Sequence, residues 1–318
     1  MRVLVTGAAG FIGSTTAELL LAEGHDVVAM DNLSTGRIEN VPAKAAFVEG
    51  DCGDKELVRS LGGFDACIHF AARIEPAESV AQPEVFFDNN VASTFRLLHE
   101  LVNNGVGRFV FSSSCAVYGN QLEMPIDETR RVAPQSPYGQ SKLMVEEGLH
   151  WLAECGRVRA ASLRYFNASG GTAAHPEQHR PEIHLIPIAL DVVAGRRDHL
   201  DIYGSDYPTP DGTCVRDYIH VSDLAEAHVL AIGALDDHAE LTLNLGSGVG
   251  HSNRQIVETI KDATGVDFEV RYTDRRPGDP AAAVASNELA REILDWEPER
   301  SHIETIVADA WAAQQSLQ

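Results

Sequence analysis

Residues 5–13 read V-T-G-A-A-G-F-I-G. Gly7, Gly10 and Gly13 lie between an apolar run, R-V-L-V-T (2–6), and a stretch of helical pattern. Glycines at such a junction permit a tight turn and let the backbone approach a pyrophosphate at a helix N-terminus. The spacing is G-x-x-G-x-x-G rather than the commoner G-x-G-x-x-G, so the string alone is also compatible with a flexible turn. Its surroundings decide the matter. A strand precedes it, a helix follows, and Asp31 closes the next apolar run, D-V-V-A-M (26–30). A carboxylate there accepts bonds from both hydroxyls of an adenosine ribose and repels a 2′-phosphate, which implies NAD rather than NADP. Asp51 follows the third strand, where it either reaches the adenine or is a solvated turn aspartate.

Working outward, A-A-F-V-E (45–49), A-C-I-H-F (66–70), R-F-V-F-S (108–112) and A-A-S-L-R-Y-F (160–166) read as further strands, largely apolar as strands covered on both faces are. Helical stretches lie between them, notably 84–103 and 138–155. The alternation predicts an α/β fold, a doubly wound parallel sheet of Rossmann type. The stretch 84–103 carries apolar residues on more than one face, implying deep burial or a subunit contact. Beyond residue 168 the loops lengthen and fill with Pro, Gly, His and Asp. The expected plan is a dinucleotide-binding domain over 1–168 and a smaller mixed domain over 169–318, with segments near 213–236 packing back on the first and the ligand cleft between the two.

The chain has 318 residues and a formal net charge of −22. Such acidity argues against nucleic acid or an anionic membrane surface as partner. A phosphorylated substrate then needs local cations. Lysine is scarce: Lys44, Lys55, Lys142 and Lys261 stand against 21 arginines, so a lysine in a chemically suggestive place is less apt to be background. Five cysteines, with no C-x-x-C pair, make neither a disulfide framework nor a zinc ribbon. With a strand starting at once and no long apolar run, a cytoplasmic protein is expected.

The stretch 136–142, S-P-Y-G-Q-S-K, opens a helix with Ser136 as N-cap and Pro137 in the first turn. Tyr138 and Lys142 then share a face at i and i+4. A phenol titrates near pH 10 in water, but a neighbouring ammonium, an oxidised nicotinamide and the positive end of the helix all favour the phenolate. Such a tyrosine can take a proton from an alcohol as hydride leaves the same carbon. An isolated Y-x-x-x-K is usually packing. Here it follows a nucleotide loop, and Ser114, in V-F-S-S-S-C-A-V-Y-G at the end of the fifth strand, offers a hydroxyl to the reacting oxygen.

With these motifs in place the chain resembles the extended short-chain dehydrogenase/reductases, and within them the UDP-glucose (UDP-galactose) 4-epimerase family. The likeness runs from T-G-A-A-G-F-I-G through D-N-L-S, H-F-A-A, D-N-N-V, Y-G-Q-S-K, R-Y-F-N, G-T-C-V-R-D-Y-I-H-V-S-D-L-A and N-L-G-S-G to R-R-P-G-D. The resemblance implies that NAD stays bound and that C4 of a UDP-hexose is inverted through a transient 4-keto sugar. It makes Tyr138 the base, Lys142 its tuning partner and Ser114 the group that positions the sugar hydroxyl. It assigns cofactor contacts to Gly7, Gly10, Phe11, Ile12, Gly13, Asp31, Asn32, Ser34, Asp51, Cys52, Phe70, Ala71, Ala72, Asn90 and Tyr165, besides Tyr138 and Lys142. Substrate contacts fall to Ser114, Tyr138, Asn167, His184, Leu185, Arg216, Arg276, Asp279 and Ala283, the two arginines pairing with the diphosphate. A homodimer through the helices at 84–103 and 138–155 is also implied.

Some positions depart from the family pattern. Ile74 stands where a lysine is common after H-F-A, with Arg73 as a substitute. Cys115 replaces an alanine, and His184 an asparagine. The His175–His184 segment invites a metal reading, but its spacing fits no ordinary zinc arrangement and the loop lacks cysteine or a close carboxylate pair, so no metal is expected. Ala283 falls where a bulky tyrosine narrows the sugar pocket in family members, which implies room for UDP-N-acetylhexosamines, provided that a one-residue slip does not put Val284 there instead. Rival readings are a 4-epimerase of UDP-pentoses or UDP-uronic acids, a nucleotide-sugar 4,6-dehydratase, and a non-catalytic NAD-sensing regulator. Dehydratases carry an Asp-Glu pair where Cys115 and Ala116 stand, and sensors lose the Tyr/Lys pair.

Overall fold

A computed structural model describes residues 1–179, 181–276 and 278–316. The chain runs β1 (Arg2–Thr6), α1 (Phe11–Ala22), β2 (Asp26–Asp31), β3 (Ala46–Glu49), α2 (Lys55–Ser60), β4 (Ala66–His69), α3 (Pro76–Ala81), α4 (Pro83–Phe86), α5 (Thr94–Asn103), β5 (Arg108–Ser114), α6 (Pro137–Glu154) and β6 (Arg159–Tyr165). It continues with β7 (Asn167–Ser169), α7 (Leu185–Val193), β8 (Leu200–Tyr203), β9 (Val215–His220), α8 (Val221–Ala234), β10 (Glu240–Leu245), β11 (Gly250–Ser252), α9 (Asn253–Thr264), β12 (Val270–Thr273), β13 (Ala282–Ala283), α10 (Glu288–Leu294) and α11 (Ile303–Gln315).

Seven parallel strands form one sheet in the order β10-β6-β5-β4-β1-β2-β3. Successive side chains of a strand point to opposite faces, and both faces here are covered. Val3, Val5, Val27, Ala29 and Ile68 therefore join one apolar core beneath α1 and α8, with Leu224, Ala227 and Ala231. Leu4, Val28, Met30, Cys67, Phe109 and Phe111 join the other, beneath α5 and α6, with Leu97, Leu101, Val145 and Leu149. That two-sided demand is why the strands read as nearly continuous apolar runs. β3 is the exception: as the edge strand it is only half-buried, not covered on both faces as its composition suggested.

Two features differ from the sequence reading. The seventh strand, E-L-T-L-N-L, comes from 240–245 and pairs with β6. Its alternating pattern at the sheet edge gave no buried-strand signal. The stretch 84–103 is also not one α-helix. α4 passes into a wider π-helical turn over Phe87–Ser93 before α5 resumes. π-turns of this kind accommodate an extra residue and cluster at functional sites, and this one contains Asn90.

The remaining segments build a second layer. β9 lies between β11 and β13 and also pairs with β7 in parallel, while β12 pairs with β8. Ile186 and Leu190 of α7, Ile256 and Ile260 of α9, and Ile306 and Val307 of α11 close a separate core.

Candidate active site

The glycine loop is shaped by close approach. Gly7 adopts φ +70, in the left-handed region that disfavours a side chain, and a Cβ there would stand 2.7 Å from the Ala71 nitrogen. Gly10 is the N-cap of α1. Asp31 sits beside this turn, with Oδ2 accepting from the Ala9 amide at 2.9 Å and Oδ1 from the Leu33 amide at 2.8 Å. Asn32 accepts from the Ser34 amide and donates to Asp51, whose other oxygen accepts from Gly53. Cys52 follows, half-buried, its thiol pushed up to about 12 by burial and then by Asp51. Phe11 and Ile12 open α1, and Phe70, Ala71 and Ala72 follow β4. The predicted cofactor residues thus gather at the carboxyl ends of parallel strands, where ligands bind in open α/β sheets. A cradle that a Cβ would fill, with a helix N-terminus behind it and a carboxylate at its side, fits a dinucleotide.

Asn90 clamps this region. Its Nδ2 donates to the Arg73 carbonyl at 2.9 Å and to Ser141 Oγ at 3.0 Å, and its Oδ1 accepts from the Arg73 amide at 2.8 Å. It ties the post-β4 turn to α6. The Arg73 guanidinium pairs with Glu78 at 2.9 Å.

α6 begins as its sequence dictates. Ser136 accepts from the Gly139 amide and Pro137 occupies the first turn. Lys142, 2% exposed, lies one turn after Tyr138 with its ammonium 5.9 Å from the tyrosine ring, and donates to the Ser112 carbonyl at 2.7 Å. Burial pushes Lys142 down to about 7, against the pull of Glu146. Burial also pushes the Tyr138 phenol up to about 12, only partly offset by a hydrogen bond with Ser114. Desolvation of the anion is thus the largest influence on this phenol in the chain by itself. Tyr165 bonds Ser112 through its hydroxyl, and burial raises its phenol too.

The second half of the site is built on β9. Arg216 pairs in register with Ala283 of β13, and Asn167 of β7 donates to the Asp217 carbonyl at 2.7 Å. Burial pushes the Cys115 thiol, next to Ser114, up to about 12, with the charge of Arg216 opposing it. Ala283 is buried with Val117, Tyr118, Ile126 and Phe166, whereas the Val284 side chain lies toward Gly250. Ala283, not Val284, thus shares its cluster with the segment that follows β5. The Arg276 guanidinium lies 3.8 Å from the centre of the Tyr203 ring, and the Asp279 amide donates to the Arg276 carbonyl at 3.3 Å.

His184 caps α7, directly before Leu185. Its Nδ1 lies 2.8 Å from Glu182 and 2.9 Å from Glu177. Burial disfavours its charge, but the two carboxylates overcome that and hold it well above the usual imidazole range. The loop therefore does bring a carboxylate pair together, contrary to its sequence reading, because Glu177 and Glu182 both lie against His184. His175 pairs instead with Glu18 at 2.6 Å, and His179 with Glu75 at 3.5 Å.

Comparison with known proteins turns this geometry into a family. The NAD dependent epimerase/dehydratase family matches residues 3–246. This chain belongs to that family. The epimerase/dehydratase chain is 44% identical over 318 residues to a UDP-glucose 4-epimerase of Corynebacterium glutamicum, covering 100% of this chain and 97% of that one. Its fold matches the crystal structure of a UDP-glucose 4-epimerase from Stenotrophomonas maltophila with bound NAD and formylated UDP-arabinopyranose. There the TM-score is 0.96 at 39% identity, over 100% of this chain and 98% of that one. A UDP-Glc/GlcNAc 4-epimerase from Campylobacter jejuni matches with a TM-score of 0.86 at 38% identity, over 99% of each chain. NAD is the cofactor, and the α/β Rossmann architecture read from the sequence is the family's.

Two residues of this epimerase/dehydratase site carried no sequence signal. Asp217, fully buried, gathers four donors: the amide and hydroxyl of Ser247, the Gly248 amide and the Ala285 amide. It locks β9 to the turn after β10 and to the end of β13, fixing Arg216 and Ala283. Glu146 lies behind Lys142. Carboxylates in both places look like surface charges until the fold buries them. Among the described residues, no helix is long and apolar enough to cross a membrane.

Proposed function

We propose that the protein is an NAD-dependent UDP-glucose 4-epimerase, interconverting UDP-glucose and UDP-galactose. The observation that carries this is the convergence of Ser114, Tyr138 and Lys142 between the glycine-loop cradle and the Arg216–Ala283 strand pair. NAD supplies a reversible acceptor for the hydrogen at C4, which makes a 4-keto sugar the transient species. The chain's own residues supply the rest. Tyr138 takes and returns the proton of the 4-hydroxyl, and Ser114 orients that hydroxyl. Lys142, held on the Ser112 carbonyl, sets the charge beneath Tyr138 and reaches the nicotinamide ribose. Arg216 and Arg276 are the cations for the diphosphate of an otherwise acidic protein, with Asn167, His184, Leu185 and Asp279 as the remaining UDP contacts. Cys115 and Ala116 leave no acid-base pair for elimination of water, and the Tyr/Lys pair disfavours a sensor. The five free thiols suit the reducing cytoplasm. The purified protein, given UDP-galactose and no added cofactor, is expected to form UDP-glucose. Failure to convert it, or a requirement for stoichiometric NAD(P)H, overturns the reading.

The small Ala283 side chain, buried beside the catalytic strand end, favours a second substrate pair. In place of a phenol ring it leaves volume beside C2 of the sugar, so UDP-N-acetylglucosamine and UDP-N-acetylgalactosamine are interconverted as well.

The protein acts as a homodimer through α5 and α6. Phe95 and Met144 are each 37% exposed and Trp151 68% exposed on these adjacent helices. Phe95 also lies across Gly148, where a Cβ would meet its ring at 2.2 Å, so the two helices present one continuous apolar face.

A further inference from the structure

Behind the catalytic lysine stands a row of buried charges with no part in the chemistry so far. Glu146 follows Lys142 by one helical turn and Arg164 reaches it from β6; each is 7% exposed. Arg164 forks onto the carboxylate through Nε at 2.9 Å and Nη2 at 2.5 Å, and Ser113 Oγ donates to it as well. Arg164 Nη1 donates to the Tyr118 hydroxyl at 2.9 Å, which donates to Asn244 of β10 at 2.8 Å. The three serines ending β5 thus grip α6 in succession: the Ser112 carbonyl holds Lys142, the Ser113 hydroxyl holds Glu146, and Ser114 meets Tyr138. A buried ion pair is in general no better for stability than a well-packed apolar pair. Its place one turn from a buried ammonium suggests an electrostatic purpose.

The geometry points to Glu146 as a positioning residue of the proposed epimerase: its carboxylate, one helical turn on, is the counter-charge to the buried Lys142 ammonium, and Arg164 and Ser113 hold that carboxylate in place. Burial drives the lysine down to about 7, and Glu146 is the neighbour that opposes it. The other groups facing Lys142 carry no negative charge. His69 of β4 is kept neutral at about 3, by burial and then by Lys142 itself. The phenols of Tyr138 and Tyr165 are raised by burial, and Phe111 offers only its ring, at 5.0 Å. On the Glu146 side, Glu147, His150 and Glu240 rim an outer groove, and Glu128 meets the network through the Asn244 amide. Lys142 has to be protonated to assist Tyr138, so the counter-charge sets how far into alkaline pH the enzyme works.

The inference rests on the epimerase reading, and the test separates the two. The pH profile of UDP-galactose epimerisation is measured for wild type, Glu146→Gln, Arg164→Met and the double variant. Glu146→Gln leaves the buried Arg164 without its carboxylate partner and is at risk of misfolding; the double variant removes both charges and keeps the question open to measurement. Both variants lacking Glu146 are expected to lose activity at a pH lower by roughly one unit, the smaller end of what a nearby charge imparts. Arg164→Met, which keeps the carboxylate, shows no such acid-ward shift. Equal losses in all variants at an unmoved alkaline limb, or an acid-ward shift in Arg164→Met as well, would make the pair structural and overturn the proposal. An inactive wild type would overturn the epimerase reading instead.

Discussion

A β-carbon on Gly13 would stand 2.2 Å from the carbonyl oxygen of Gly7. The first turn of α1 is pressed directly against the turn that leaves β1, so the third glycine of the loop is required by helix–strand contact rather than by backbone conformation. Gly13→Ala is expected to cost about 1–3 kcal/mol, as overpacking of a tight site does, and to weaken NAD retention. Denaturant unfolding together with the absorbance of co-purified NAD measures both. A variant as stable and as well loaded as wild type would contradict this packing.

Tyr138→Phe keeps the ring and removes the acid-base group. Turnover should fall by roughly two to four orders of magnitude, the contribution of a positioned general base, while NAD still co-purifies. Near-normal turnover would reduce Tyr138 to a packing residue.

Ala283→Tyr tests substrate width. Activity toward UDP-N-acetylglucosamine should be lost while UDP-galactose turnover persists, because the added ring points into the volume beside C2. Wild type inactive on the N-acetyl sugars, or a variant that handles them equally well, would refute the assignment.

Asp217→Asn exchanges an acceptor-only group for one with an NH2 facing amide donors. Burial raises the Asp217 carboxyl to about 6, against the donors of Ser247, Ala285 and Gly248, so it is ionised at pH 7 and accepts all four hydrogen bonds. The variant should lose about 1–3 kcal/mol of stability, the cost of a buried group left unsatisfied, and its KM for UDP-sugar should rise as Arg216 loses its anchor. Unchanged unfolding midpoint and KM would show that the hub is dispensable.

Phe95→Asp places a charge on the exposed face shared by α5 and α6. Light scattering should then give the mass of a monomer where wild type gives twice 34.4 kDa. A wild type that is already monomeric ends the dimer proposal.

The dinucleotide turn, six of the seven sheet strands and the start of α6, with Tyr138 and Lys142 in step, are legible along the chain alone. These are local matters: glycine at a tight junction, apolar runs demanded by burial on both faces, a serine cap and an i, i+4 spacing. The tertiary structure decided what depends on distant partners. It brought 240–245 back to the sheet edge, buried Ala283 rather than Val284 in the cluster that follows β5, and set Glu177 and Glu182 against His184. It also shifted the pKa values of Tyr138 and Lys142. Burial raises the one pKa and lowers the other, and Glu146, Arg164 and Ser113, drawn from a helix and two strands, meet only in the folded chain. Spacing along the chain records which side chains share a local face; desolvation and counter-charge depend on what the rest of the fold packs against them.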